Sequence, residues 1–157
     1  MYKRPIVPAD FAVPERLETA EFVLRPLTVN DVVKDYDAVM CSVDHLTGLM
    51  DASDGWPRGL TLEEDLVDLG WHQREFTLRH SFAYTVFSPD GATCLGCCYI
   101  YPAMTRGAEV DAFYWARQDR LADGLEERLG RVFRDWLARD WPFARVAFPG
   151  RGDPMPD

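Results

Sequence analysis

No apolar run in this sequence approaches the roughly 20 residues a helix needs to cross a bilayer. The opening stretch, MYKRPIVPADFAVPERLETA, places prolines and acids where a secretory signal would carry an apolar core. A cytoplasmic location without membrane contact is therefore expected. A surplus of positive charge is also lacking: 17 Lys and Arg stand against 26 Asp and Glu, giving a net charge of −9. That balance argues against a protein that grips nucleic-acid phosphates irrespective of sequence. No internal repeat is visible.

The chain has 157 residues, 47% hydrophobic and 13% aromatic, which suits a single domain over 1–157 with a real core. Its charge is uneven: residues 1–116 hold 18 acids and 9 bases, and residues 117–157 hold 8 of each. A neutral, Arg-bearing end beside an acidic body suits an anionic cofactor at one end and a cationic substrate at the other. The same distribution also describes unevenly solvated surface. The cysteines are Cys41, Cys94, Cys97 and Cys98. Along a regular strand, 94 and 97 face opposite ways and chelate poorly. Apolar strand residues in a reducing compartment is the better account, and no metal is expected. A metal set of Cys41, His45, Cys94 and Cys97 is the remote alternative.

Residues 1–20 are proline-spaced and read as an irregular segment. EFVLRP then alternates as a strand, which Pro26 ends, and Thr28 or Asn30 can cap a helix carrying Val32, Val33, Tyr36, Val39 and Met40. Residues 44–60 are rich in Gly, Asp and Ser and read as a loop, with Trp56 either anchoring it to the core or meeting a ligand. Thr61 and Glu64 form a capping-box pattern before a helix whose expected face is Leu62, Leu66, Leu69, Gln73 and Phe76, flanked by His72 and His80. SFAYTVF, the turn SPDG and ATCLGCCYIYP read as a hairpin. In AEVDAFYWA, Glu109, Asp111, Phe113 and Trp115 share one face. A helix bearing Leu125, Leu129, Val132, Phe133, Trp136 and Leu137 follows, then the strand ARVAFP and a loose tail at 149–157. The RGD triplet in that tail would matter only in an extracellular setting. The class is α+β with a central mixed, mostly antiparallel sheet flanked by helices.

That order, with FVLRPLTVND at the front and AEVDAFYWARQDRLADGLEERL in the middle, resembles the GNAT superfamily of acyl-CoA-dependent N-acyltransferases over roughly residues 21–148. The hairpin looks like the family's second and third strands. The resemblance implies a gap beside the central strand for the pantetheine arm. It also implies a turn whose backbone amides meet the cofactor's pyrophosphate, as unsatisfied amides at a positive helix end favour an anion. The family's turn pattern falls on Leu121, Gly124 and Glu126, and only Gly124 matches. Asp123 with Glu126 instead makes a capping box, DGLE, which supplies the helix with its own anion.

On this resemblance, acetyl-CoA would be the co-substrate. Arg117, Arg120 and the amides of Ala122, Asp123, Gly124 and Leu125 would hold its pyrophosphate. The backbone of Tyr114, Trp115 and Ala116 would hold the pantetheine and acyl carbonyl. Glu109 or Asp111, about 7 Å apart along a strand, would take the proton of a small, cationic amine. The family's tyrosine acid has no counterpart after Tyr114, and the C-terminal helix and closing strands are expected to be absent. A second copy of the chain could supply the missing wall. The alternative is a non-catalytic ligand-binding or protein-interaction module on the same fold, with a degenerate coenzyme A site.

Overall fold

The alternation in VDAFYWA divides its side chains between two hydrophobic layers, one on each face of a sheet. Val110, Ala112, Tyr114 and Ala116 join the layer that holds Leu125, Leu129, Phe133, Trp136 and Leu137. Phe113 and Trp115 join the layer that holds Ala38, Val39 and Leu69. The computed structural model describes residues 3–153, so the far part of the expected tail, 154–157, lies outside the described residues.

The elements run β1 (Leu17–Glu18), β2 (Val23–Pro26), α1 (Val32–Met40), α2 (Val43–Leu46), α3 (Leu62–Thr77), β3 (Phe82–Phe87), β4 (Cys94–Pro102), β5 (Val110–Ala116), α4 (Leu125–Asp140) and β6 (Val146–Ala147). The strands lie in the sheet in chain order, antiparallel except for the parallel β5–β6 pair. The expected α+β class and mixed sheet are therefore what the chain forms. β5 and β6 pair only at Val110–Val146 and Asp111–Ala147. Beyond that point they part, and the outer edge of β5 from Tyr114 to Ala116 has no strand partner among the described residues.

Several local expectations are corrected. The irregular opening contains β1, and it is tied down by Tyr84 Oη donating to Pro14 O at 2.6 Å and by Ile6 N donating to Arg79 O at 2.9 Å. The loop at 44–60 begins inside α2, whose four residues are too few to show a helical period. The α3 capping box forms, with Glu64 N donating to Thr61 Oγ1 at 3.1 Å. The buried face of α3, however, is only partly the expected one: Leu69 is buried and Phe76 packs against the core, but Leu62 and Leu66 are exposed and Asp65 and Glu75 are buried. The inward stripe is 65, 69, 72 and 76, and a carboxylate stands in it.

The cysteines are corrected for a different reason. Val86 pairs with Gly96 and Phe87 with Cys94, so Leu95 is an extra residue in β4. Such a bulge shifts the two-residue alternation by one. Cys94 and Cys97 consequently share one layer, while Leu95 and Cys98 share the other. The three strand cysteines are buried and Cys41 is exposed. Among the described residues, no group of three or more His, Cys, Asp or Glu is placed to hold a metal ion, and no helix is long and apolar enough to cross a membrane.

Candidate functional site

The gap beside β5 is built by three pieces of chain. β5 delivers Tyr114–Ala116 to it, the turn at 117–124 closes its end, and residues 148–153 pass along its open side. Gly124 has φ 81° and ψ 14°, a left-handed conformation that suits glycine, and serves as the N-cap of α4. The expected capping box does not form. Asp123 is exposed, and its Oδ1 accepts from Leu125 N at 3.0 Å while its other oxygen holds Arg120. The Asp123 carboxyl is held below its usual range, chiefly by the hydrogen bond from Arg120.

Glu126 does not turn back to Asp123. Its Oε1 accepts from Ala116 N at 3.1 Å and lies 2.6 Å from His45 Nε2, and its Oε2 accepts from Arg151 at 3.1 Å. Arg151 reaches further and donates to Tyr114 O, its guanidinium 3.9 Å from the Tyr114 ring centroid. The two backbone groups that β5 offers to the gap, Ala116 N and Tyr114 O, are thus both taken by side chains. Burial alone would raise the Glu126 carboxyl, but the bonds from His45, the Ala116 amide and Arg151 outweigh it and hold the group below its usual range.

Most of the other expected cofactor contacts are also engaged or turned away. Trp115 is buried in the opposite layer, where its Nε1 donates to Tyr99 Oη at 3.0 Å. The Arg117 side chain binds Asp119, Asp37 and the Cys94 carbonyl, and Arg117 N continues the ladder to Leu95 O at 2.8 Å. Arg120 is paired with Asp123. Of the four amides from Ala122 to Leu125, that of Gly124 donates to Leu121 O and that of Leu125 to Asp123. Ala122 and Asp123 are exposed.

The carboxylates expected to act as base do not converge. Glu109 precedes β5, and its Oε2 accepts from Ala144 N at 2.6 Å and Arg145 N at 3.0 Å. The Arg145 amide is the main reason that its carboxyl is held low. Asp111 lies in β5 and accepts from Met104 N at 3.0 Å and Thr105 N at 3.3 Å, with its Oδ1 buried and unpartnered. One clamps the connection into β6 and the other the connection out of β4.

Coenzyme A brings a diphosphate that requires free amides and a pantetheine arm that requires a free strand edge. Here an internal carboxylate and an internal guanidinium already satisfy that edge, so the edge as arranged does not fit the pantetheine arm, although the exposed amides of Ala122 and Asp123 are not taken. The closing of the gap by Glu126, Arg151 and His45 is what reading the sequence missed. Glu126 carried a signal, since it stands where the family pattern calls for Gly or Ala. Arg151 and His45 are brought in over long sequence separations and carried none.

No family model matches this sequence, and no curated protein matches it. Solved structures do. The ribosomal-protein-S5-alanine acetyltransferase from Vibrio fischeri is 15% identical with a TM-score of 0.63, over 79% of this chain and 67% of that one. RimL, a ribosomal L7/L12 alpha-N-protein acetyltransferase solved in complex with coenzyme A, is 16% identical with a TM-score of 0.62, over 80% of this chain and 69% of that one. An acetyltransferase from Thermus thermophilus is 18% identical with a TM-score of 0.55, over 78% of this chain and 73% of that one. At these identities the likeness establishes the fold: this chain has the fold of the GNAT acetyltransferases.

Proposed function

We propose that this chain is a non-catalytic ligand-binding or protein-interaction module on the GNAT fold, with a cofactor gap closed by its own residues. The observation that carries this reading is the capture of Ala116 N by Glu126 and of Tyr114 O by Arg151. A nucleotide cofactor would have to displace a largely buried carboxylate that is itself held by His45 and Arg151. Thermal unfolding titrated with coenzyme A and acetyl-CoA tests the proposal. A ligand at about 100 times its dissociation constant adds about 2.7 kcal/mol, which at this size is a rise of several degrees. The expected result is no rise at millimolar ligand; a saturable rise overturns the reading.

A second reading is favoured by one specific observation, the retained gap between β5 and β6 on a fold shared with acetyltransferases. It takes the chain as an N-acetyltransferase moving an acetyl group from acetyl-CoA to a small, cationic amine, with Glu109 and Asp111 as candidate bases. It requires the rise that the first reading forbids, together with release of free thiol from acetyl-CoA in the presence of an amine panel.

A further inference from the structure

On the sheet face opposite the closed gap, α1, α3 and β4 enclose a cavity of about 100 Å³. Three carboxyl groups line it, those of Asp35, Asp65 and Asp68, and no lysine or arginine does. Asp35 and Asp65 are 3% and 2% exposed and face each other across the cavity, where Asp35 Oδ1 also accepts from the Cys97 thiol at 3.6 Å. Two neighbouring carboxyls in a dry site do not both ionise readily, so the pair retains a proton. Asp65 Oδ2 is buried and receives no N–H donor from the protein, and His72 Nδ1 is likewise buried without a partner.

The remaining wall is aromatic. Tyr99 and Tyr101 stack at 5.8 Å between ring centroids with 9° between their planes, and the His72 ring lies 5.5 Å from Tyr99. Trp56 and Asp68 stand at the junction with a larger outer groove, of about 870 Å³, that also carries Asp54, Glu63 and Glu64. Four acids line that groove against one base, Arg58, so a cation approaching from solvent meets a net negative route.

We propose that this cavity binds the ammonium head of a small primary alkylamine, held by Asp35 and Asp65 beneath the faces of Tyr99, Tyr101 and Trp56. Each feature of the lining matches that chemistry. An alkylammonium supplies N–H donors to carboxylate oxygens that lack them, and its charge interacts favourably with aromatic faces. Entry of the cation lets the proton retained by the Asp35 and Asp65 pair leave to solvent, so one positive charge enters as one departs. Burial pushes the Asp35 and Asp65 carboxyls up, Asp35 well above its usual value, and drives His72 down to about 4. His72 is therefore neutral and does not compete as the cation. The volume equals about three waters at ~30 Å³ each, enough for an ammonium and the first carbons of its chain. This inference rests on the binding-module reading only in naming its ligand.

Isothermal titration and thermal unfolding with n-butylammonium, using uncharged 1-butanol and calcium chloride as controls, test the proposal. Saturable binding of n-butylammonium is expected, with no response to 1-butanol. Asp65→Asn should weaken it about 10- to 100-fold, the usual effect of losing one charged hydrogen-bond partner. Asp68→Asn, an exposed change that leaves the fold alone, should weaken it several-fold. Equal responses to 1-butanol and n-butylammonium, tighter binding of calcium than of the amine, or full affinity in both variants would overturn the proposal. Coenzyme A titration is read separately, so a cofactor response refutes the closed-gap reading without touching this one.

Discussion

Glu126 plays at the start of α4 the part a bound anion plays in many turn-to-helix junctions, but it is covalently part of the chain. Replacing it with glutamine keeps an acceptor for Ala116 N and removes the charge facing Arg151 and His45. Charged hydrogen bonds exceed neutral ones by about 1 kcal/mol each, so Glu126→Gln should cost about 1–2 kcal/mol in urea unfolding at pH 7. Its carboxyl is held low in the folded chain. Its contribution is therefore complete above the unfolded value of about 4.3 and is lost as pH falls through the lower folded value. The gap between parent and variant should close on acidification below about pH 4. Asp65 has the opposite sign. Its carboxyl is raised by burial, with Asp35 and Asp68 as neighbouring acids and His72, Tyr99 and Tyr101 facing the same cavity. The penalty of ionising it is absent below about pH 3.9 and grows as pH rises through the raised value. Asp65→Asn should raise the unfolding midpoint at pH 7 and leave it unchanged near pH 3.5. Neither role was legible from residue type. Glu126 read as a helix cap, and Asp65 drew no notice because a carboxylate in an inward stripe breaks the apolar pattern used to find that stripe.

At the level of elements, the sequence was most informative where the period was long and clean. The α4 stripe of Leu125, Leu129, Phe133, Trp136 and Leu137 is buried as its spacing requires, and the β3–β4 hairpin forms around SPDG. It was least informative where one residue changes phase, as Leu95 does in β4, or where a helix is a single turn, as α2 is. Packing between elements is set by small residues that the pattern does not rank. A methyl at Gly130 would press into the Tyr114 ring, and one at Gly96 would meet the Trp115 carbonyl across the ladder. For Gly130→Ala two effects compete. Alanine gains about 1 kcal/mol in a helix interior, whereas overpacking costs about 1–3 kcal/mol. Overpacking should win, with a net loss of up to about 2 kcal/mol in urea unfolding and a changed near-ultraviolet signal from Tyr114.

For the molecule as a whole, the order and class of the elements were legible because alternation and helical spacing survive divergence. The state of the gap was not, because it depends on a residue near the end of the described chain. Residues 149–153 are no loose tail: Arg151 enters the gap and Asp153 pairs with Arg134 at 2.9 Å. The double variant Glu126→Gly, Arg151→Ala should therefore speed hydrogen exchange at the Ala116 amide, read by mass spectrometry, even if it binds no cofactor. The extra residue in β4 bears on how this sheet tolerates change over time. Losing Leu95 would restore strict pairing and leave every other side chain of the strand on its present side. Losing a residue well beyond the bulge, such as Ile100, would instead turn the side chains of several neighbours to the opposite face. The bulge thus marks the one stretch of this strand where a shortening can be absorbed, at the cost of a leucine side chain buried in the core.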